Sequence, residues 1–176
     1  MTKHYINTSE LKCKIQDIKA GDRIFLSGVV YTARDAAHKR LFDLLNADKP
    51  LPFNIDGAVI YYAGPTPSKQ DSIIGSCGPT TSSRMDIYTP RLIESGLIAT
   101  IGKGERNKQV CQSIRTHNSL YFCAIGGAGA LAASHITSFE VIAFDDLGCE
   151  SIKRLYFDKF PLICAIDSYG GNIFKR

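Results

Sequence analysis

The chain has 176 residues, of which 44% are hydrophobic and 22% are charged, and its net charge is +4. This composition excludes a disordered or collagen-like chain, and we expect a single globular domain over residues 1–176. No apolar run of about 18 residues and no apolar leader is present, so we expect a cytoplasmic protein without a membrane span. The positive charge forms no dense run of Lys and Arg, which disfavours nucleic acid as a partner.

The first half of the chain predicts strand, helix and strand. Asp22 to Arg34 is rich in β-branched and aromatic residues, which favours a strand. Asp35 to Asn46 has helical composition, and Thr32 and Asp35 stand at the spacing of a capping box. A short buried-type strand over Ala58 to Ala63 follows, and Thr66 to Cys77 is polar and predicts a loop.

The second half alternates between the two types of element. One or two helices follow Thr80 and break before Pro90. The later predictions are strands over 97–101 and 120–125, helices over 107–117 and 128–134, and strand-like runs over 139–144, 153–157 and 162–167. Strand–turn–helix units between strand-rich ends predict an α/β domain with a mixed sheet or two layered sheets.

The segment Gly78 to Met85 (GPTTSSRM) is the strongest candidate for a binding site. It places Thr80, Thr81 and Arg84 just after a Gly-Pro turn, where a helix is expected to begin. Free backbone N–H groups, hydroxyls and a guanidinium together suit a carboxylate. The alternative is that Thr80 only caps a helix.

Two further segments carry candidate cations. Arg34 in the first turn of a predicted helix opposes the helix dipole, and such local conflicts are common at functional sites. The alternative is that it only pairs with Asp35. His38 lies one turn later on the same side, where it either positions a group or bonds within the core.

Lys103 follows an apolar strand and stands between Gly102 and Gly104. The two glycines allow a tight turn and close approach of a ligand, and ligands favour the carboxyl ends of strands in α/β sheets. The alternative is an exposed turn lysine. Together, the three segments predict a site for a small, multiply charged anion.

No local motif for a bound cofactor is convincing. Gly127 to Ala132 matches the G-x-G-x-x-A pattern of dinucleotide sites, but the nearest acidic candidate, Asp145, comes late, so close helix packing is the better interpretation. The six cysteines match no local ligand motif, and packing is favoured over ligation. We therefore expect no metal ligand in this chain.

The segments TARDAAH (32–38), YAGP (62–65), GPTTSSRM (78–85) and GKG (102–104) occur in this order. They precede a late pattern with Pro161, Asp167, Gly170 and Asn172. From about Gly21 onward, the set resembles the β subunit, or C-terminal domain, of the iron–sulfur hydro-lyases, the class I fumarases and L-tartrate dehydratases.

The resemblance implies a swivelling three-layer β/β/α domain with a mixed sheet. It implies that Arg34, Arg84 and Lys103 bind the carboxylates of a small dicarboxylate, and that Thr80 is the catalytic base. It assigns no role to Asp35 or His38. It also implies a 4Fe–4S cluster held by a partner α subunit and not by this chain.

The function implied is that of the β subunit of a hydro-lyase that hydrates fumarate reversibly to L-malate and is active only with its α subunit, in a heterodimer or higher assembly. The β subunit of L-tartrate dehydratase is the alternative, since the same three cations serve either substrate. A stand-alone anion-binding domain without catalysis is the second alternative.

Overall fold

The central strands are buried on both faces, as their uninterrupted apolar runs require. The computed structural model describes residues 1–67, 73–124 and 129–175. Val59 and Tyr61 belong to an inner core, whereas Ile60 and Tyr62 belong to a second core beneath the helices. Successive side chains of a strand point to opposite faces, so this strand separates two apolar layers.

Within the described ranges the chain forms seven strands and five α-helices. The strands are β1 (Lys3–Asn7), β2 (Arg23–Thr32), β3 (Val59–Tyr61), β4 (Ala99–Gly102), β5 (Leu120–Cys123), β6 (Ile136–Ala143) and β7 (Ile152–Ile166). The helices are α1 (Leu11–Lys14), α2 (Asp35–Asn46), α3 (Thr89–Glu94), α4 (Lys108–Thr116) and α5 (Gly129–Ser134). Short 3₁₀ turns lie at Thr8–Glu10, Ile15–Asp17, Ser82–Met85 and Asp145–Glu150.

The sheet closes on itself. Its strand order is β1-β2-β3-β4-β5-β7-β6, and an additional pairing joins β2 to β7. The pairs from β1 through β5 are parallel, whereas β7 runs antiparallel to β2, β5 and β6. Strands β2, β3, β4, β5 and β7 therefore form a closed ring, with β1 and β6 attached outside it.

The helices form a layer outside this ring. Ala37 and Leu41 of α2 pack with Leu92 of α3 against β3, and residues of α3 and α4 pack against β5 and the end of β7. The inner core lies between the walls of the ring. This architecture confirms the α/β class with a mixed sheet and accommodates the expected two sheet layers and one helical layer.

Three neighbouring parallel strands define one edge of the molecule. Thr32 of β2 is paired with Tyr61 of β3, and Tyr61 is paired with Ile101 of β4. Since the three strands run in the same direction and end in register, the chain leaves all of them at one edge. The segments that begin at Arg34, Gly64 and Lys103 therefore meet there, where α/β sheets usually bind ligands.

Most predicted elements are confirmed, with differences at two strands and at the helix expected directly after Thr80, where only the 3₁₀ turn Ser82–Met85 forms. The N-terminal strand β1 was not predicted, and the two late runs, 153–157 and 162–167, are parts of the single strand β7. Helix α2 has the predicted bounds, and α4 begins after Asn107, whose side chain accepts a hydrogen bond from the Val110 N–H. The start of the Gly127–Ala132 pattern and the middle of the predicted loop over 66–77 lie outside the described residues.

No helix in the described part of the chain is long and apolar enough to cross a membrane.

Candidate active site

The start of α2 differs from the predicted capping box. Arg34 is the N-cap residue, and no side chain of its own turn caps the helix. The Thr32 hydroxyl is instead buried, where it accepts a hydrogen bond from the Lys153 N–H at 3.1 Å. Glu150, from a distant part of the chain, accepts from the Ala36 N–H at 2.9 Å. A tertiary contact therefore caps this helix, and its carboxylate favours the positive end of the helix dipole.

The Arg34 guanidinium has no hydrogen-bonded acceptor among residues 1–67, 73–124 and 129–175. Its Nη2 lies 3.8 Å from Asp35 Oδ2 and 3.7 Å from Glu150 Oε1, which are ion contacts too long for hydrogen bonds. Its Nε is buried and unpartnered. The side chain packs closely over Gly64, where a Cβ would lie 3.0 Å from Arg34 Cδ. The donors of Arg34 are thus held in place and remain available to an anion.

Arg84 is tied to the start of α2. Its Nε donates to Asp35 Oδ1 at 2.9 Å, and its Nη2 lies 2.9 Å from Asp35 Oδ2. Half of the Arg84 side chain remains exposed. Asp35 thus brings the guanidiniums of Arg34 and Arg84 to one carboxylate, a contact between segments that are separate in the sequence.

Thr80 lies in an extended segment beside the ends of β3 and β4. Its backbone N–H donates to the Tyr62 carbonyl at 2.7 Å, and the Ser82 N–H donates to the Lys103 carbonyl at 2.9 Å. Ser82–Met85 forms a single 3₁₀ turn with Thr81 as its N-cap. The expected helix start with free backbone N–H groups at Thr80 is therefore wrong, because neighbouring carbonyls take up the Thr80 and Ser82 N–H groups.

Gly102 is required by the close approach of this turn to β4. A Cβ on Gly102 would lie 2.0 Å from the Ser82 hydroxyl and 2.9 Å from the Tyr62 ring. Thr81 and Lys103 form a parallel β-bridge directly beyond this contact. Lys103 is partly buried, and its ammonium has no hydrogen bond or ion pair with the described residues. The structure thus brings Lys103 to the segment that contains Thr80.

A buried tyrosine holds the Lys103 loop against the 82–85 turn. The Tyr121 hydroxyl lies 2.7 Å from the Gly104 carbonyl and 2.9 Å from the Ser82 hydroxyl. Since a carbonyl can only accept, Tyr121 donates to Gly104 and the Ser82 hydroxyl donates to Tyr121. Burial raises the pKa of Tyr121, so it remains a neutral donor.

Arg106 is a structural residue that no sequence signal indicated. It is buried, and its Nε donates to Asp86 at 2.6 Å while its Nη2 donates to the Thr89 hydroxyl at 2.8 Å. Burial alone would lower the pKa of Arg106, but Tyr62 and Asp86 raise it. Since Asp86 and Thr89 flank the end of the 82–85 turn, Arg106 fixes that turn to the loop that carries Lys103.

The late pattern that contributed to the resemblance is also structural. Asp167 is buried and accepts hydrogen bonds from the N–H groups of Ala20, Tyr169 and Gly171 at 2.8, 2.9 and 2.8 Å. A Cβ on Gly171 would lie 2.4 Å from the Asp167 carboxylate. These contacts join the chain after β7 to the turn before β2.

His38 is fully buried beneath the start of α2. Its Nδ1 lies 2.9 Å from the Arg34 carbonyl, so Nδ1 carries the proton and donates, and Nε2 is unprotonated and has no partner in the described structure. The imidazole meets the Tyr62 ring edge-on. His38 therefore fixes the backbone of Arg34 from within the core.

The stability of the chain is expected to fall in mild acid because of His38. Burial, and to a smaller extent the charge of Arg106, lower the pKa of His38 from 6.5 to about 4, against the opposing effects of the Arg34 carbonyl and Asp35. The unfolded chain then binds more protons between these values, so this contribution is complete above pH 6.5 and is lost toward pH 4. The loss is about 3 kcal/mol.

Urea unfolding between pH 7.5 and pH 4.5 measures this effect. We expect His38→Gln to flatten the dependence of the unfolding free energy on pH, whereas His117→Gln, at an exposed histidine, leaves it unchanged. Equal pH slopes in the wild type and His38→Gln would contradict this assignment.

The described residues of this chain do not fit an iron–sulfur cluster. No three His, Cys, Asp or Glu side chains within the described ranges are grouped so that they could hold a metal ion. Cys77 and Cys164 are buried as free thiols, and burial raises the pKa of both thiols, that of Cys77 to about 12. Such thiols are poor sources of the thiolate that a cluster needs.

Comparisons with known proteins agree on one family. The model of the fumarase C-terminus family matches residues 2–176. A candidate L(+)-tartrate dehydratase β subunit of Methanocaldococcus jannaschii is 36% identical over 94% of this chain and 88% of its own length. The L(+)-tartrate dehydratase β subunit of Escherichia coli is 33% identical over 96% of this chain and 85% of its own length.

Longer relatives carry a similar region. The anaerobic class I fumarate hydratase of E. coli is 34% identical over 95% of this chain, but this chain spans only 31% of that enzyme's length. The relatives named here are hydro-lyases, since a fumarate hydratase adds water and a tartrate dehydratase removes it. The family model covers almost the whole chain, so the chain belongs to the fumarase C-terminus family.

Proposed function

We propose that this chain is the β part of a two-subunit hydro-lyase that interconverts fumarate and L-malate. The observation that carries the proposal is the arrangement of cations at the carboxyl ends of β2, β3 and β4. Arg34 and Lys103 have donors that no described residue engages, and Arg84 is joined to Arg34 through Asp35. This arrangement suits a small dianion, because each of the three cations keeps N–H donors that no described acceptor takes up.

The candidate residues of this chain would have two roles, substrate binding and proton transfer. Arg34 and Arg84 bind and orient the substrate carboxylates, and Lys103 adds positive charge at the same edge. The Thr80 oxygen takes the proton from the carbon next to the hydroxyl-bearing carbon during dehydration and returns it during hydration. A threonine hydroxyl is a weak base, and nearby cations favour the alkoxide that this role requires.

The remaining chemistry belongs to a partner. We infer that an α subunit binds the 4Fe–4S cluster implied by the resemblance, since the described residues of this chain do not fit that group. The partner would also supply the acid for the departing hydroxyl. Two relatives named as β subunits support the existence of such a partner.

L-tartrate dehydration is the second candidate function. It is favoured by the relatives that match this chain over most of both lengths, since both are named as tartrate dehydratase subunits. Malate and tartrate each offer two carboxylates, and three cations suit either. The candidate residues of this chain therefore favour neither substrate.

Activity measured without oxygen tests the proposal. We expect this chain alone to be inactive, and the chain co-expressed with its cluster-bearing partner to hydrate fumarate or dehydrate L-tartrate. The ratio of kcat/KM for the two substrates would then assign the function. An intact complex with its cluster that acts on neither substrate would contradict the proposal and favour an anion-binding domain without catalysis.

A further inference from the structure

We propose that Asp35 is a positioning residue that orients Arg84 for the substrate carboxylate. The inference rests on the proposed function, because it concerns how the same site presents its second arginine. Asp35 would not contact the reacting atoms. It would act through the guanidinium that it holds.

The contact between the two side chains determines which edge of Arg84 is left for a ligand. Asp35 Oδ1 accepts from Arg84 Nε at 2.9 Å, and Asp35 Oδ2 lies 2.9 Å from Arg84 Nη2. The carboxylate therefore lies along the side of the guanidinium formed by Nε and Nη2, with a hydrogen bond at Nε and an ion contact at Nη2, since Asp35 Oδ2 has no hydrogen-bond partner among the described residues. The hydrogens of Nη1 and the outer hydrogen of Nη2 remain, and they form the fork that can bind a carboxylate end-on.

The same carboxylate lies between two positive charges. Asp35 Oδ2 is 3.8 Å from Arg34 Nη2, so the guanidiniums of Arg34 and Arg84 converge on one oxygen. Two guanidiniums brought this close would repel each other, and the Asp35 charge offsets that repulsion. Without it, we expect Arg84 to turn away from Arg34 into solvent, since its side chain is half exposed.

Asp35 is itself rigidly placed. It is in the first turn of α2, where its negative charge favours the helix dipole, and Ala37 and Leu41 fix the helix in the core. The Arg84 guanidinium, in contrast, is carried by a long and flexible side chain. Fixing such a side chain before binding saves rotational entropy that the ligand would otherwise have to offset. Since partly exposed ion pairs add little to stability, the loss of Asp35 should affect binding more than unfolding.

Steady-state kinetics of the complete complex test the positioning role. We expect Asp35→Ala to raise KM for the dicarboxylate about tenfold with kcat changed less than about threefold, because the lost orientation weakens substrate and transition state alike. Asp35→Asn keeps an oxygen that can accept from Nε, so its KM should lie between those of Asp35→Ala and the wild type.

A matched control is available at Asp146. It forms an exposed ion pair with Arg40 of α2, with Asp146 Oδ1 accepting from Arg40 Nη1 at 2.8 Å. Asp146→Ala should leave KM and kcat unchanged. A wild-type or lowered KM in both Asp35 variants would overturn the inference, since a lowered value would mean that Asp35 competes with the substrate for Arg84.

A second measurement needs no turnover and distinguishes failure of this inference from failure of the proposed function. In the full-length chain labelled with ¹⁵N, the Arg84 Nε–H signal should be protected from exchange in the wild type and exposed in Asp35→Ala. Addition of succinate should perturb the Arg84 signals at lower concentration in the wild type than in Asp35→Ala. The inference would be overturned if the Arg84 Nε–H exchanged at the same rate in the two proteins and if the same succinate concentration perturbed their Arg84 signals. This would hold even if the complex proved to be an active hydro-lyase. An inactive complex with the expected NMR differences would reject the proposed function alone.

Discussion

Replacing Arg34 by alanine is expected to reduce kcat/KM of the assembled enzyme by about three orders of magnitude, which corresponds to about 4 kcal/mol of lost transition-state stabilisation. The Arg34 guanidinium has no hydrogen-bonded acceptor among the described residues: its Nε is buried without a partner there, and its contacts with Glu150 and Asp35 are ion contacts of 3.7 and 3.8 Å. Removing it deprives the substrate carboxylate of its charge-assisted donors and leaves those two carboxylates less well compensated.

The measurement is a comparison of fumarate and L-tartrate kinetics in the complex. Arg34→Lys keeps the charge but loses the planar fork, so we expect an intermediate activity. Arg40→Ala is the matched control, because Arg40 lies in α2, the helix whose N-cap residue is Arg34, and pairs with the exposed Asp146. Thermal unfolding of each variant checks the fold. Near-normal turnover in a folded Arg34→Ala complex would remove Arg34 from the site.

Replacing Thr80 by valine is expected to lower kcat by about 10³, within the range that a positioned general base supplies, while KM changes little. Valine keeps the branched shape of the side chain and replaces the hydroxyl by a methyl group. The backbone contact of Thr80 with the Tyr62 carbonyl at 2.7 Å does not depend on the side chain, so the turn should keep its position. The loss should therefore appear in proton transfer and not in binding.

Exchange of the carbon-bound hydrogen of malate with deuterium in the solvent measures that step directly. The exchange rate should fall together with kcat in Thr80→Val. Thr81→Val is the control, since Thr81 is the exposed neighbour whose backbone pairs with Lys103. A wild-type exchange rate in Thr80→Val, or an equal loss in Thr81→Val, would assign the base to another residue.

Elements governed by local patterns could be predicted well. Strand β2 and helix α2 lie where composition and apolar spacing placed them, because each signal is contained in a dozen neighbouring residues. The prediction was wrong where a distant residue decides the local structure. Thr32 does not cap α2, because its hydroxyl is buried against β7 and Glu150 supplies the acceptor.

The prediction of a helix start at Thr80 was wrong for the same reason. Its residues are typical of a helix start, but two parallel strands end beside it and their carbonyl groups accept its N–H groups. The segment therefore extends the sheet edge before a single 3₁₀ turn. The backbone N–H groups of Thr80 and Ser82 are therefore not free to bind a carboxylate, contrary to the expectation. The side-chain cations remain as the candidate receptor.

The class of fold, the order of most elements and the three candidate segments around Arg34, Arg84 and Lys103 could be predicted from residue types and short spacings, whereas the choice of Thr80 and the roles of the residues came from the family resemblance and stay predictions. The closure of the sheet by β2 and β7 and the contact of Asp35 with both Arg34 and Arg84 became visible in the folded chain alone. The fold also placed Arg106 in the core as the support of the Lys103 loop. Contacts between segments far apart in the chain produce no periodic or compositional pattern in the sequence. They can therefore be identified only when the fold brings the partners together.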